Sequence, residues 1–507
     1  MQTAGTAGAA TTRLVAHSGC AYGRIDRRLF GSFVEHMGRV VYGGVYEPGH
    51  PEADQAGRRT DVLRLVRELG VTCVRYPGGN FVSGLDWRDL VGPVQDRPRR
   101  LDLAWRAVET HEFGLPEFMA WAQAAQAEPI LAVNLGTGGI AEAAAMVEYC
   151  NFPGGTRESD LRRRHGQDRP YGVKTWCLGN EMDGDWQLGA KGADEYGRLA
   201  AESAKAMRRV DDSIELAVCG SSKSDQPSFP EWDLEVLRHA YPYVDYLAAH
   251  QYYGGQDLGT GGFLAQAQDF DRYLGALEAV CDVAKAAHRS RKTLAISVDE
   301  WGVWNFAETG PEPDQWQVGP RLSEQIYTLQ DALLFASMML VMARHSSRVR
   351  MACQSLLTNI SACIMTEPGG EAWVQPIYHP FQALAAWAGA DVLRPTWEGP
   401  HFDAAGETGV PVVDALVTRR GDIGRLGVFA VNRDADADRP LEFALAGSPG
   451  LRVVGHTVMT ADDALATGRD QPSRFVPRES DESRVSGGTL AASLPPLSWT
   501  VITLEQE

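Results

Sequence analysis

The chain has 507 residues with a formal net charge of -18, a hydrophobic fraction of 44% and a charged fraction of 22%. Its length exceeds what one core usually supports, predicting a large domain and a smaller one, and no apolar run is long enough to span a bilayer. The acidic balance excludes a polyanionic partner, since nucleic acid needs a cationic face; the basic knots Arg97 to Arg100 and Arg162 to Arg164 read as solvated loops.

MQTAGTAGAATT at the start has neither a basic n-region nor an apolar h-region, so a cytoplasmic protein is expected. The 8 cysteines form no CxxC pair, and Cys73, Cys177, Cys219 and Cys353 fall in strand-like runs, as reduced buried thiols would. HEFG at His111 lacks a second histidine, so no metal is expected.

Arg13 to Ile25 holds a short strand-like segment, and Leu29 to Val34 runs into Glu35. A helix follows over Asp61 to Leu69, with Thr60 as N-cap and Gly70 as its stop. Val71 to Tyr76 is a strand carrying Arg75, and Pro77-Gly78-Gly79 turns Asn80 out at its end. The alternation continues with a helix from Pro116, a strand at Ile130 to Leu135 and a helix from Ala141. In TWCLGNEMDGDWQLG, the apolar run Val173 to Leu178 stops at Gly179-Asn180, leaving Glu181 at a strand tip between Trp176 and Trp186. Helix Asp194 to Val210, strand Ile214 to Cys219, helix Leu234 to Ala240 and strand Val244 to His250 come next, the last ending in HQYYGG with Tyr252. A long helix at Phe270 to Ala287 leads to strand Leu294 to Val298, which ends in Asp299-Glu300-Trp301. Glu324 to Ala343 reads as the longest helix and Arg348 to Gln354 as the eighth strand.

Eight apolar strands separated by helices predict a (β/α)8 barrel over residues 26–388, whose strand tips converge on one mouth. From about residue 389 the runs shorten and alternate between Gly, Asp and Pro, predicting a C-terminal β-sandwich over 389–507 that residues 1–25 could join. A doubly wound sheet is the alternative, but no GxGxxG follows the first strand.

Glu181 and Glu300 then face each other across the mouth, and two such acids are the machinery of glycoside hydrolysis, which needs no cofactor. A nucleophile must stay ionised, and Arg75 is the cation placed to keep Glu300 so; Glu181, walled by tryptophans, suits the proton donor. Asn180 and Glu35 are placed for sugar hydroxyls, His250 for orientation, and Trp301, Trp304 and Tyr252 for ring contacts. Each acid alone could be a helix cap, and a non-catalytic sugar-binding barrel is the reading from another class.

The strings FGSFVEHMGRVVYGGVYEP, VRYPGGNFVSG, VNLGTGG, VEYCN, WCLGNEMDGDWQLG, CGSS, HQYYGG and DEWGVW resemble glycoside hydrolase family 51, the α-L-arabinofuranosidases, in order along the barrel. The resemblance implies a retaining, exo-acting enzyme on terminal arabinofuranosyl residues of oligosaccharides. In it Glu181 would be acid/base, Glu300 nucleophile, Glu35, Asn80 and Asn180 hydroxyl ligands, and Arg75 and Tyr252 neighbours of the nucleophile. It further implies an intracellular homo-oligomer, often a hexamer. The chain departs from the family pattern at Leu85, where a tyrosine is usual, and at His111 and Gly302, where asparagines are. Leu356 aligns with a sugar-contacting glutamine, while Gln354 stands two positions earlier. These departures leave open another furanose, such as galactofuranose or D-arabinofuranose, or an endo-acting β-glucanase.

Overall fold

The computed structural model describes residues 10–305, 316–446, 450–469 and 471–506. Two short strands, β1 (Thr12–His17) and β2 (Ala21–Arg24), precede the barrel strands β3 (Gly31–Phe33) and β4 (Cys73–Tyr76). A hairpin of β5 (Arg100–Asp102) and β6 (Ala107–Glu109) then rises over the mouth, followed by β7 (Glu128–Val133), β8 (Thr175–Leu178), β9 (Glu215–Val218), β10 (Tyr246–Tyr253), β11 (Ala295–Val303) and β12 (Val349–Gln354). Eight of these close into one barrel, in the order β10-β11-β12-β3-β4-β7-β8-β9. Every pairing in it is parallel, as strands joined by helical crossovers must be. The fold is a TIM barrel with a separate all-β domain.

The outer ring includes α1 (Thr60–Leu69), α2 (Leu115–Ala125), α3 (Ile140–Asn151), α4 (Arg157–Arg164), α5 (Ala193–Val210), α6 (Glu231–Ala240), α7 (Gly259–Ala265), α8 (Ala267–Ala287) and α9 (Leu329–Arg344). Gly70 ends α1 at φ 86, a left-handed turn that glycine takes without a Cβ clash. Thr60, however, is the first helical residue rather than the cap; its hydroxyl donates to the Glu52 carbonyl 2.8 Å away. The longest helix is α8, at 21 residues, and not the one expected from Glu324. That helix starts later, at Leu329, where Thr328 and Asp331 form a reciprocal capping box. Two arginines expected in solvent are buried. Arg162 donates to the carbonyls of Tyr149, Phe152 and Pro153, and Arg97 pairs with Glu117 at 2.8 Å, because the carbonyls at the ends of α3 and the loop before β5 need donors.

The β-sandwich has a five-stranded and a seven-stranded sheet, and β1 enters the first while β2 edges the second. Between the sheets lie Leu14, Val417, Val428, Leu441, Phe443 and Ile502. The outer face of the larger sheet, through Phe429 and Trp499, continues the barrel core around α9. At this junction Asp414 accepts from Arg344 at 2.7 Å and from Arg433 at 2.8 Å.

Candidate active site

β10 and β11 run past His250 and Val298, the ends expected from the sequence, to Tyr253 and Val303. Their register shifts between Ala248 and His250, and that of β11 against β12 shifts between Val298 and Trp301. Such bulges re-aim side chains beside active sites. The result is that Asp299 and Glu300, adjacent in sequence, both reach into the barrel instead of pointing to opposite faces.

Glu300 accepts from Arg75 Nη1 at 2.7 Å on Oε1 and from the Tyr252 hydroxyl at 2.9 Å on Oε2. The second guanidinium arm of Arg75 donates to Asn180 Oδ1 at 2.7 Å, and its Nε lies 3.6 Å from Asp299. Burial opposes the Arg75 charge, but Asp299 and Glu300 outweigh it and hold the guanidinium protonated. Arg75 also lies over the Phe33 ring. Asn180 in turn donates to Asn80 Oδ1 at 3.3 Å, which also receives Gln187 at 3.1 Å.

Glu181 sits at φ 44, in the left-handed region, directly after Gly179 and Asn180. A non-glycine residue is held there only when its surroundings fix it. Trp186 Nε1 donates to its Oε2 at 2.7 Å and His250 Nδ1 lies 2.9 Å from its Oε1. The imidazole stands 3.2 Å from Asp299 on its other nitrogen and 3.6 Å from Glu300. Burial works against its charge, yet Glu300, Asp299 and Glu181 raise its pKa well above the usual histidine range. His250 is therefore a fixed imidazolium among three carboxylates. Single ligand atoms of Glu181, His250 and Glu300 all fall within 4.8 Å of one another.

Glu35 is buried, and its Oε1 accepts from Phe81 N–H at 2.9 Å and Trp105 Nε1 at 2.9 Å. Burial first, then the Glu300 charge, pushes its pKa up to about 8. At neutral pH it is a neutral acid, able to donate. An unfolded glutamate releases this proton near 4.5, so the folded state binds more protons between the two values. The associated stability is full below about 4.5 and is lost as pH rises through about 8. Glu35→Gln is expected to remove that part of the alkaline decline in Tm, measured by calorimetry from about pH 5 to about pH 9.

Gly79 brings the backbone against this cluster. A Cβ there would stand 2.8 Å from Glu300 Oε1 and 3.2 Å from Glu35 Oε2. Gly79→Ala should lower kcat on the order of 10²-fold, by displacing Glu300, with an unchanged circular dichroism spectrum.

A cleft of about 1340 Å³ contains Glu35, Asn80, Glu181, Tyr252 and Glu300. Arg75, Asn180 and His250 are buried behind these residues. Trp301 is not in the cleft: it points outward and stacks on Phe335 of α9 at 4.5 Å, because the residue after Glu300 returns to the outer face. Trp176 is likewise core. Trp304 and half-exposed Trp186 are the indoles of the strand-seven and strand-four loops that line the cleft. Sequence reasoning missed Asp299 as a site group, Trp105, Gln187 and Ser355, whose Oγ lies 2.7 Å from the Tyr252 hydroxyl. Of the departing positions only Leu356 lines the cleft. Gln354 donates to the Ser361 carbonyl beneath it, Gly302 pairs with Tyr252 inside the strand, and His111 is buried at φ 56 against the Pro98 carbonyl.

Two family models match the chain: the α-L-arabinofuranosidase 1 domain over residues 65–274 and the α-L-arabinofuranosidase C-terminal domain over residues 299–498. The intracellular exo-α-(1→5)-L-arabinofuranosidase 1 of Bacillus subtilis (strain 168) is 48% identical, over 98% of this chain and 99% of its own. The chain belongs to the family 51 α-L-arabinofuranosidases. This arabinofuranosidase is also 43% identical to the exo-α-(1→6)-L-arabinofuranosidase of Bifidobacterium longum, over 97% of each chain. It superposes on the solved structure of AbfB, a family 51 α-L-arabinofuranosidase from Bifidobacterium longum, with a TM-score of 0.93 at 39% identity, covering 97% of this chain and 99% of that one. The arabinofuranosidase is thus a glycoside hydrolase, and its cleft is read as the site of that reaction.

Proposed function

We propose that the arabinofuranosidase removes non-reducing terminal α-L-arabinofuranosyl residues from arabino-oligosaccharides, with retention of configuration, by double displacement. The observation that carries the retaining reading is the close approach of Glu181 and Glu300, with an oxygen of each within 4.8 Å of the other. Retaining enzymes hold their carboxyl groups about 5 to 5.5 Å apart, whereas inverting ones leave about 6.5 to 9.5 Å for a water.

Glu300 attacks the anomeric carbon from Oε1 or Oε2 as the glycosidic bond breaks. Arg75 and Tyr252 hold its lone pairs in line until then. Glu181, protonated for this step, gives its proton to the departing oxygen. The carboxylate left behind accepts the hydrogen bonds from Trp186 and from the His250 imidazolium. In the second step that carboxylate takes a proton from water, whose oxygen displaces Glu300 and restores it. Asn180, held by Arg75, and Asn80 offer amide groups to ring hydroxyls, and neutral Glu35 donates from Oε2.

Trp186→Phe removes one donor from Glu181 and should cost about tenfold in kcat/KM on substrates with poor leaving groups, and less on activated aryl glycosides. The relatives' exo-acting names and their end-to-end coverage support a terminal cut, with (1→5) and (1→6) linkages both represented. They also support a cytoplasmic location, since several are named intracellular. Family resemblance supports a homo-oligomer, hexameric as is common there; light scattering measures the mass. The function is tested by proton NMR of an aryl α-L-arabinofuranoside during turnover. The α anomer of arabinose should appear first, and β arabinose first, or no turnover, would refute it.

A further inference from the structure

A second cavity, of about 240 Å³, lies outside the catalytic cleft, where the barrel meets the sandwich. Its walls come from the first turns of α8 (Gln268, Asp271), the last residue of α9 (Arg344), Tyr22 of β2, and Trp397 and Arg433 of the sandwich. It is smaller than the pockets that take drug-sized ligands and suits a single ring.

Its chemistry is mixed in a particular way. Trp397 and Tyr22 supply aromatic faces, half-buried and held by their own packing, Trp397 edge-on to His401 at 4.9 Å and Tyr22 beneath the Arg394 guanidinium. Gln268 and the Arg344 guanidinium supply planar donors. Arg433 is nearly fully buried, and its Nε has no hydrogen-bond partner among the described residues, although Nη1 and Nη2 are satisfied by Pro411, Asp414 and Ser337. That Nε is sealed from the cavity as well as from solvent, so Arg433 shapes the wall, and Arg344 and Gln268 are the donors that a ligand can reach. The charges cancel: Arg344 and Arg433 stand against Asp414 and Asp271, so an anion gains nothing over a neutral ligand. Aromatic faces, planar donors and no net charge are what a sugar ring needs, with its apolar C–H face and its ring of hydroxyl acceptors.

The cavity also has a position that ties it to the catalytic cleft. Gln266 and Asp269 line the cleft, while Ala267, Gln268 and Asp271 line this pocket, so one turn of α8 and the residue before it form the wall between them. A ligand here would sit on the far side of that turn from the substrate.

We infer that this junction pocket is a second carbohydrate-binding site, taking a single neutral pentose unit such as the arabinose that the catalytic site would release. The identity of that pentose rests on the proposed activity, while the existence of the site does not. The test is isothermal titration of L-arabinose into the full-length wild type and into Gln268→Ala and Trp397→Ala, with aryl arabinofuranosidase activity measured on the same preparations. Two sites per chain are expected in the wild type and one in each variant, with kcat/KM unchanged. A site count no higher in the wild type than in the folded variants, or activity lost together with binding, would each overturn the inference. If Trp397→Ala does not fold, Gln268→Ala decides alone. Absent hydrolysis by every preparation would count against the proposed activity, while the site count would still decide the pocket.

Discussion

Glu300→Gln should abolish turnover of every arabinofuranoside, with kcat/KM falling by at least about 10⁴-fold, or about 5.5 kcal/mol of transition-state stabilisation. The amide keeps the hydrogen-bonding outline toward Arg75 and Tyr252 but offers no anion to attack the anomeric carbon. Glu181→Gln should behave differently. Loss of the general acid costs about 10²- to 10⁴-fold on substrates with poor leaving groups, yet much less when the aglycone is a good leaving group that needs no proton. For such a substrate the second step becomes limiting, because no base activates water, and a pre-steady-state burst of aglycone should appear. Added azide tells the two variants apart. It should rescue Glu181→Gln and give the arabinofuranosyl azide of the substrate's own configuration, whereas with Glu300→Gln an azide product would carry the opposite one. Equal behaviour of the two variants would sink the assignment of separate roles.

Arg75→Met is expected to damage the protein as well as the chemistry. The guanidinium is buried with Glu300 at 2.7 Å and Asp299 at 3.6 Å, so its removal leaves the two carboxylates with His250 as their one ion-pair partner among the described residues. Breaking a buried pair by deleting one partner costs about 3–5 kcal/mol, because the remaining charge keeps its desolvation penalty. Chemical denaturation should show that loss at neutral pH, and kcat should fall even where the variant is folded, since Asn180 loses its anchor too. Arg75→Lys should recover part of the stability and little of the rate. A lysine supplies the charge but cannot reach Glu300 and Asn180 at once with a rigid fork. If Arg75→Lys matched wild type in both measurements, the bidentate geometry would have no importance.

The barrel was legible because each strand begins as a short apolar run with a turn signal near its tip, and parallel strands buried on both faces read as near-continuous hydrophobic runs. Glu181 and Glu300 were legible for the same reason, as acids placed where a run stops. What lay beyond reach depended on departures from period two. Strict alternation sends Asp299 and Trp301 together to the face opposite Glu300, and the bulges at Val298 and Ala248 bring Asp299 back inside while leaving Trp301 in the core. No residue in DEWGVW announces that shift. Trp105 belongs to a hairpin loop with no periodic signal, and only its bond to Glu35 reveals its place. Arg162 and Arg97 looked solvated because a run of arginines carries no sign of the carbonyls waiting for them in the fold. Local pattern thus located the two facing acids of the cleft, while the groups that orient them arise from contacts between distant segments.

In the proposed reaction Glu300 becomes covalently bonded to the sugar while Glu181 handles the protons. Glu181→Gln, mixed with an activated aryl α-L-arabinofuranoside and quenched in acid during the burst, should gain the mass of one pentosyl unit. Peptide mapping by mass spectrometry should then place that unit on Glu300. A pentosyl group on any other residue, or none in a variant that still releases aglycone in a burst, would contradict the account.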